Sequence, residues 1–175
     1  MRIVFYLYFL FLTFTGPAHG FSQQIALDTV RKMFLFSMED DVMNAELYRY
    51  LSKRNFSDNN ALMLAYKGSS RTIMARSASW PAIKYKYFTE GRNMIEKAIL
   101  LQPSHPEIRF LRLMIQLNIP SYLKYNHQEE DRQFLVHYFG KNRPTKGSFE
   151  ETMVNLIRKY GKLSASQEAM LDKGS

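Results

Sequence analysis

Gly91-Arg-Asn-Met-Ile95-Glu-Lys-Ala98-Ile-Leu-Leu-Gln-Pro103, continued by Ser104-His-Pro-Glu107-Ile-Arg109-Phe-Leu-Arg112-Leu-Met-Ile-Gln116-Leu-Asn118, decides the fold class. Phe88, Gly91, Ile95, Ala98 and Ile99 recur at helical spacing, so one face of a helix from about Ala82 to Leu101 is apolar. Pro103 cannot continue that helix. Ser104 and Glu107 have the spacing of a capping box, with Pro106 in the first turn, where its missing N–H costs nothing. In the next helix, Ile108, Leu111 and Ile115 form one apolar stripe. Phe110, Leu113, Met114 and Leu117 form another. A helix that is apolar nearly all round belongs at the centre of a bundle.

Helical spacing continues in both directions. Ala26, Val30, Met33 and Phe34 mark an early helix, and Met43, Leu47, Tyr50 and Leu51 a second. Leu62, Ala65, Tyr66, Ser69 and Ile73 mark a third, and Phe149, Met153, Leu156, Ile157 and Tyr160 a late one. Ser148 to Glu151 and Ser164 to Gln167 repeat the capping-box form, and Gly161 follows Tyr160 as a stop. The acids Glu129, Glu130 and Asp131 fit the first turn of another helix. Lys141 to Gly147 reads as a loop before the C-terminal helices. No convincing stretch alternates with period two. The expected fold is all-α, built from antiparallel helical hairpins over 21–175.

The first 20 residues read as a secretory signal peptide. Met1-Arg2 is followed by an apolar run from Ile3 to Leu12, then Gly16-Pro17 and the small residues Ala18 and Gly20. The run is shorter than the ~20 residues a membrane-spanning helix needs, although an uncleaved anchor is the alternative. The chain is therefore expected in the periplasm or elsewhere outside the cytoplasm. It holds no cysteine, so packing alone must stabilise it, and a lipoprotein anchor is excluded. Its formal charge is +8, which falls to +7 once Arg2 leaves with the leader. Such charge favours an anionic envelope surface.

Candidate chemistry concentrates on the central helix. His105, Arg109, Arg112 and Gln116 form a narrow polar strip at i, i+4, i+7 and i+11. Two guanidiniums on such a helix need carboxylates, carbonyls or an anionic ligand. One reading pairs them with Glu107 and Asp131. The other makes the strip the floor of a concave groove for an acidic peptide, assisted by Lys67 and Lys84, because the planar guanidinium binds carboxylates bidentately. The histidines show no metal-binding spacing, and no nucleophile elbow or phosphate-cradling glycine loop occurs. No cofactor or metal is expected. Lys84-Tyr85-Lys86-Tyr87-Phe88 interleaves cations with aromatics, but a helix turns Tyr85 and Phe88 to one side, and export removes the chain from nucleic acid.

Gly91, Ile95, Ala98 and Pro103 together resemble the second helix of a tetratricopeptide repeat, although Trp80-Pro81 stands where a regular first helix would run. A wider pattern is similar to a group of uncharacterised exported bacterial helical proteins. It comprises Ala65-Tyr-Lys-Gly68, Lys84 to Gly91, Glu107 to Arg112, Pro120 to Tyr125 and Asp131. The resemblance implies an exported helical domain and brings no activity with it. The expected function is a non-catalytic interaction or scaffold module of the bacterial envelope that binds a protein or acidic peptide. The alternatives are an exported enzyme with a dispersed site and an accessory protein held to the envelope by charge.

Overall fold

A computed structural model describes residues 18–53 and 60–173. They form α1 (Ala18–Ser37), α2 (Asp41–Lys53), α3 (Ala61–Ile73), α4 (Pro81–Leu101), α5 (Pro106–Leu117), α6 (Gln128–Lys141), α7 (Phe149–Tyr160) and α8 (Ala165–Lys173), with a 3-10 turn at Ser121–Leu123. No strand occurs among the described residues, and the all-α expectation holds. Residues 1–17 of the expected leader lie outside the described residues, and 18–20 open α1. No described helix is long and apolar enough to cross a membrane.

The helix ends follow local chemistry, with one correction. Ser148 Oγ accepts from the Glu151 amide, and Glu151 Oε2 in turn accepts from the Gly147 amide at 2.7 Å. Ser164 and Gln167 bond each other reciprocally, a full capping box. Ser104 does not cap α5. The N-cap is His105, without a side-chain bond, and the Glu107 carboxylate turns to a partner on α1 instead.

α5 lies at the centre as its composition predicts, packed by α3, α4, α6 and α7. The main core gathers Val30 and Phe34 of α1, Leu47 of α2, Tyr66 of α3, Phe110 and Leu111 of α5, Phe139 of α6 and Ile157 of α7. α3 and α4 form the most extensive pair. They run antiparallel, since Arg71 meets Glu90 at 2.6 Å while Gly68 meets Met94 and Ile95. A Cβ added at Gly91 would lie 2.5 Å from the Gly68 carbonyl oxygen and 2.1 Å from Thr72 Oγ1, so only glycine permits this crossing. A smaller second core holds Phe88, Ile95, Ile115 and Tyr125, with Ile73, Ala75, Ile119 and Leu123 packed at its edge.

α4 has 21 residues against 13 in α3 and 12 in α5. At ~1.5 Å per residue it outruns both neighbours by more than two turns' length. The excess lies at its N-terminus, where Pro81 to Lys86 are all exposed.

Candidate functional site

The expected polar strip on α5 is real in composition, but α6 closes it. The Arg112 guanidinium grips Asp131 bidentately, Nε to Oδ2 and Nη2 to Oδ1, both at 2.7 Å. Its remaining Nη1 reaches the Glu96 carboxylate on α4 at 3.2 Å. Arg109 donates to Asp131 Oδ1 at 3.0 Å, to the Pro103 carbonyl at 2.8 Å, and to Glu130. Gln116 Nε2 donates to Asp131 Oδ2 at 3.2 Å, and its Oε1 accepts from the His127 amide. Tyr125 completes the cluster, its hydroxyl donating to Glu96 Oε1 at 2.5 Å.

Electrostatics match this geometry. The Arg109 hydrogen bond holds the Glu130 carboxyl at about 2, against a smaller opposing effect of burial, and the His127 ring assists. Burial alone would lower the Arg112 guanidinium, but the hydrogen bond and charge of Asp131 more than offset it and raise it. Burial and then Glu96 push the Tyr125 hydroxyl well up. Arg112 and Asp131 are buried, so their fork offers nothing to a partner. The strip is thus not the floor of an open groove, because three acids from α4 and α6 occupy its donors.

Glu107 was expected as a partner of the strip. It sits instead in a separate buried cluster, bound by Arg31 Nη2 at 2.6 Å and Arg31 Nε at 2.9 Å. The Tyr66 hydroxyl donates at 2.5 Å to Glu107 Oε1, the oxygen that Arg31 Nε also reaches. Burial first, then Glu107, push the Tyr66 hydroxyl well above its usual range. His105 stands beside this cluster, within reach of the Glu107 and Arg31 charges, and burial lowers its pKa. Lys67 lies over the Tyr48 ring of α2, 5.9 Å from its centre. The structure therefore brings Arg109, Arg112 and Gln116 together and leaves His105, Lys67 and Lys84 elsewhere.

Lys84 lines the feature that the sequence did not reveal. The overhanging turns of α4, the end of α3 and the 3-10 turn enclose a cleft of about 580 Å³. Its floor is the edge of the second core: Ile73, Phe88, Ile115, Ile119 and Leu123. Tyr85 and Tyr122 stand at its rim, 62% and 78% exposed. A shallower depression of about 380 Å³ lies on the adjacent face of α4, bounded by Met74, Trp80, Ile83 and Tyr87. The cleft lining carries two cations, Arg76 and Lys84, and no carboxylate or histidine. Arg76 is already committed to Asp41 at 2.6 Å and to the Met38 carbonyl at 2.7 Å. Lys84 forms no ion pair among the described residues.

The groups with shifted pKa, among them Tyr66, His105, Tyr125 and Glu130, all lie outside this lining. Among the described residues no three histidine or acidic side chains gather as a metal site would require. What the cleft offers is apolar surface and one exposed ammonium, the chemistry of binding. No protein-family model matches the chain, and comparison with curated proteins and with solved structures finds no match.

Proposed function

We propose that this protein is a non-catalytic interaction module, exported to the bacterial envelope, whose cleft beside the N-terminus of α4 receives an acidic segment of a partner protein. One observation carries the reading. Among the described residues, an apolar cleft carries one unpaired ammonium, Lys84, and no acid, with exposed tyrosines at its rim. Tyrosine and apolar anchors around a desolvated centre are what partner surfaces use. Export is supported by the charged, apolar and small-residue order of residues 1–20. The formal charge of +8 supports residence at an anionic envelope. A repeat-like stacking of tetratricopeptide character is supported by the α3–α4 pair, with its Gly68–Gly91 crossing and Pro103 stop.

Photo-crosslinking in cells that make the full chain tests this. A benzoylphenylalanine replaces Tyr85 in one variant and Leu100 in another; Leu100 is 82% exposed at the far end of α4. The expected result is a discrete adduct in the envelope fraction from position 85 and none from position 100. No adduct at 85, or equal labelling from both positions, overturns the reading.

A further inference from the structure

The polar groups of the cleft restrict what can occupy it. Thr72 Oγ1 donates to the Gly68 carbonyl at 3.0 Å, and Asn118 Nδ2 to the Met114 carbonyl at 2.8 Å. The Arg76 guanidinium is held by Asp41 and by backbone carbonyls of the α1–α2 turn. Pro81 and Pro120 carry no N–H. The Lys84 and Asn118 amides are spent on Trp80 and Ile115 carbonyls within their own turns. The walls contributed by α3, α4 and α5 are helical, so their main-chain groups are spent within their own turns and those walls present no ladder of donors and acceptors.

An extended peptide laid on these walls would bury amides and carbonyls without partners, at a cost of about 1–3 kcal/mol for each group. A helix satisfies those groups internally and exposes only side chains to the wall. The wall along α4, Pro81 to Phe88, is about 12 Å long at ~1.5 Å per residue, the length of two turns. Lys84 sits midway along it.

We infer that the occupant is an amphipathic α-helix of a partner protein, engaging the floor of Ile73, Ile115 and Ile119 with an apolar stripe about two turns long and setting a carboxylate beside that stripe against Lys84. This rests on the reading of the cleft as a partner site and specifies the partner's chemistry. Recognition comes from the stripe, at i, i+3 or i+4, and i+7. Lys84 selects its polarity, since a lysine in place of the acid would oppose an ammonium that is already there.

The test uses the full chain and a panel of stapled helical peptides bearing leucine or phenylalanine in that spacing. Three forms are compared: glutamate beside the stripe, lysine beside the stripe, and the glutamate form broken by two central prolines. Dodecanoate serves as a plain anionic amphiphile. Binding is read from, and located by, the methyl resonances of Ile73, Ile115 and Ile119, which line the cleft. The glutamate form is expected to move those methyls and to bind about tenfold more tightly than the lysine form. Lys84→Glu, a change at an exposed position, should invert that order, and the proline-broken form should lose binding. The inference is overturned if no helix moves the methyls, if the broken peptide or dodecanoate binds as well as the intact helix, or if Lys84→Glu leaves the preference unchanged. A crosslink at position 85 alongside any of these failures retains the cleft as a partner site and removes only the helix. Silence at position 85 removes the partner site itself.

Discussion

At the N-terminal end of α5, Glu107 is clasped by Arg31 from α1 and Tyr66 from α3, and the Phe149 ring lies 4.8 Å from the Arg31 guanidinium carbon. At the C-terminal end, Ile115 and Ile119 face a cleft that no described element covers. The chemistry inside the two ends is alike. Each has an arginine, a carboxylate and a tyrosine hydroxyl 2.5 Å from that carboxylate, Tyr66 on Glu107 and Tyr125 on Glu96. The difference lies in what covers them. Where α1, α6 and α7 seal α5, every buried charge is matched. Beyond Gln116 the covering helices stop, and apolar surface remains open beside the unpaired Lys84 ammonium.

If the sealed half depends on matched charge, removing the acid that most donors share should cost the most. Asp131→Ala strands the buried Arg112 guanidinium and frees Arg109 and Gln116. Breaking a buried pair in this way costs about 3–5 kcal/mol, a large part of a small domain's stability. Urea unfolding of the full chain checks this. A loss under about 1 kcal/mol would mean that Glu96 and Glu130 suffice for Arg112, and the sealed half would be less sealed than its geometry indicates.

The two tyrosines sharpen the comparison. Tyr66 is fully buried and its acceptor Glu107 nearly so, whereas Glu96 is 35% exposed in its side chain. Tyr66→Phe should therefore cost about 1.5–3 kcal/mol, the range for a hydrogen bond to a charged group. Tyr125→Phe should cost clearly less, because water can reach Glu96. Equal losses in the same unfolding experiment would break the distinction between the two ends.

What the sequence could disclose follows the same division. The stripes of α5 were legible because a fully buried helix writes its environment into a period of 3.6 residues. Asp131 was legible as a partner of Arg109 and Arg112 because the need of two guanidiniums on an apolar helix is local and unmistakable. Glu107 was misassigned since its partner, Arg31, lies 76 residues away and nothing local announces it. Ser104 matched a capping box in letters, but His105 took the N-cap and Glu107 was drawn to Arg31 and Tyr66. The cleft was illegible for a different reason. It arises from a mismatch of length between α4 and its neighbours, and a difference in reach between helices leaves no mark in the periodicity of any one of them. Lys84 was named, but for a groove on α5 that α6 fills.

Acid should act on the sealed half before the open one. The Glu130 carboxyl is lowered from 4.5 to about 2 in the fold, the Arg109 hydrogen bond being the main cause. A lowered carboxylate contributes stability above its unfolded value of 4.5, and that contribution disappears as the pH falls towards 2. Glu130→Gln should therefore flatten the decline of Tm between those limits and leave the slope near neutrality unchanged. The Glu130 side chain is 53% exposed, so salt near ~1 M should shrink the difference. An unchanged acid limb would place the sensitivity elsewhere in the cluster.

The smallest effect on stability is expected at the cleft rim, and that smallness is what separates a surface kept for binding from one kept for packing. Tyr85, Tyr122 and Lys84 are all exposed, and none belongs to either core. Tyr85→Ala and Lys84→Glu should each shift unfolding by no more than about 0.5 kcal/mol. Ile115→Ala, on the floor of the same cleft, should cost about 2–5 kcal/mol because its side chain also fills the second core. A rim that proved as costly as the floor would belong to the packing of α4, and the cleft would be only the outer surface of the second core. A silent rim above a costly floor describes a built site, in which the scaffold holds the shape and the exposed residues are free to meet something else.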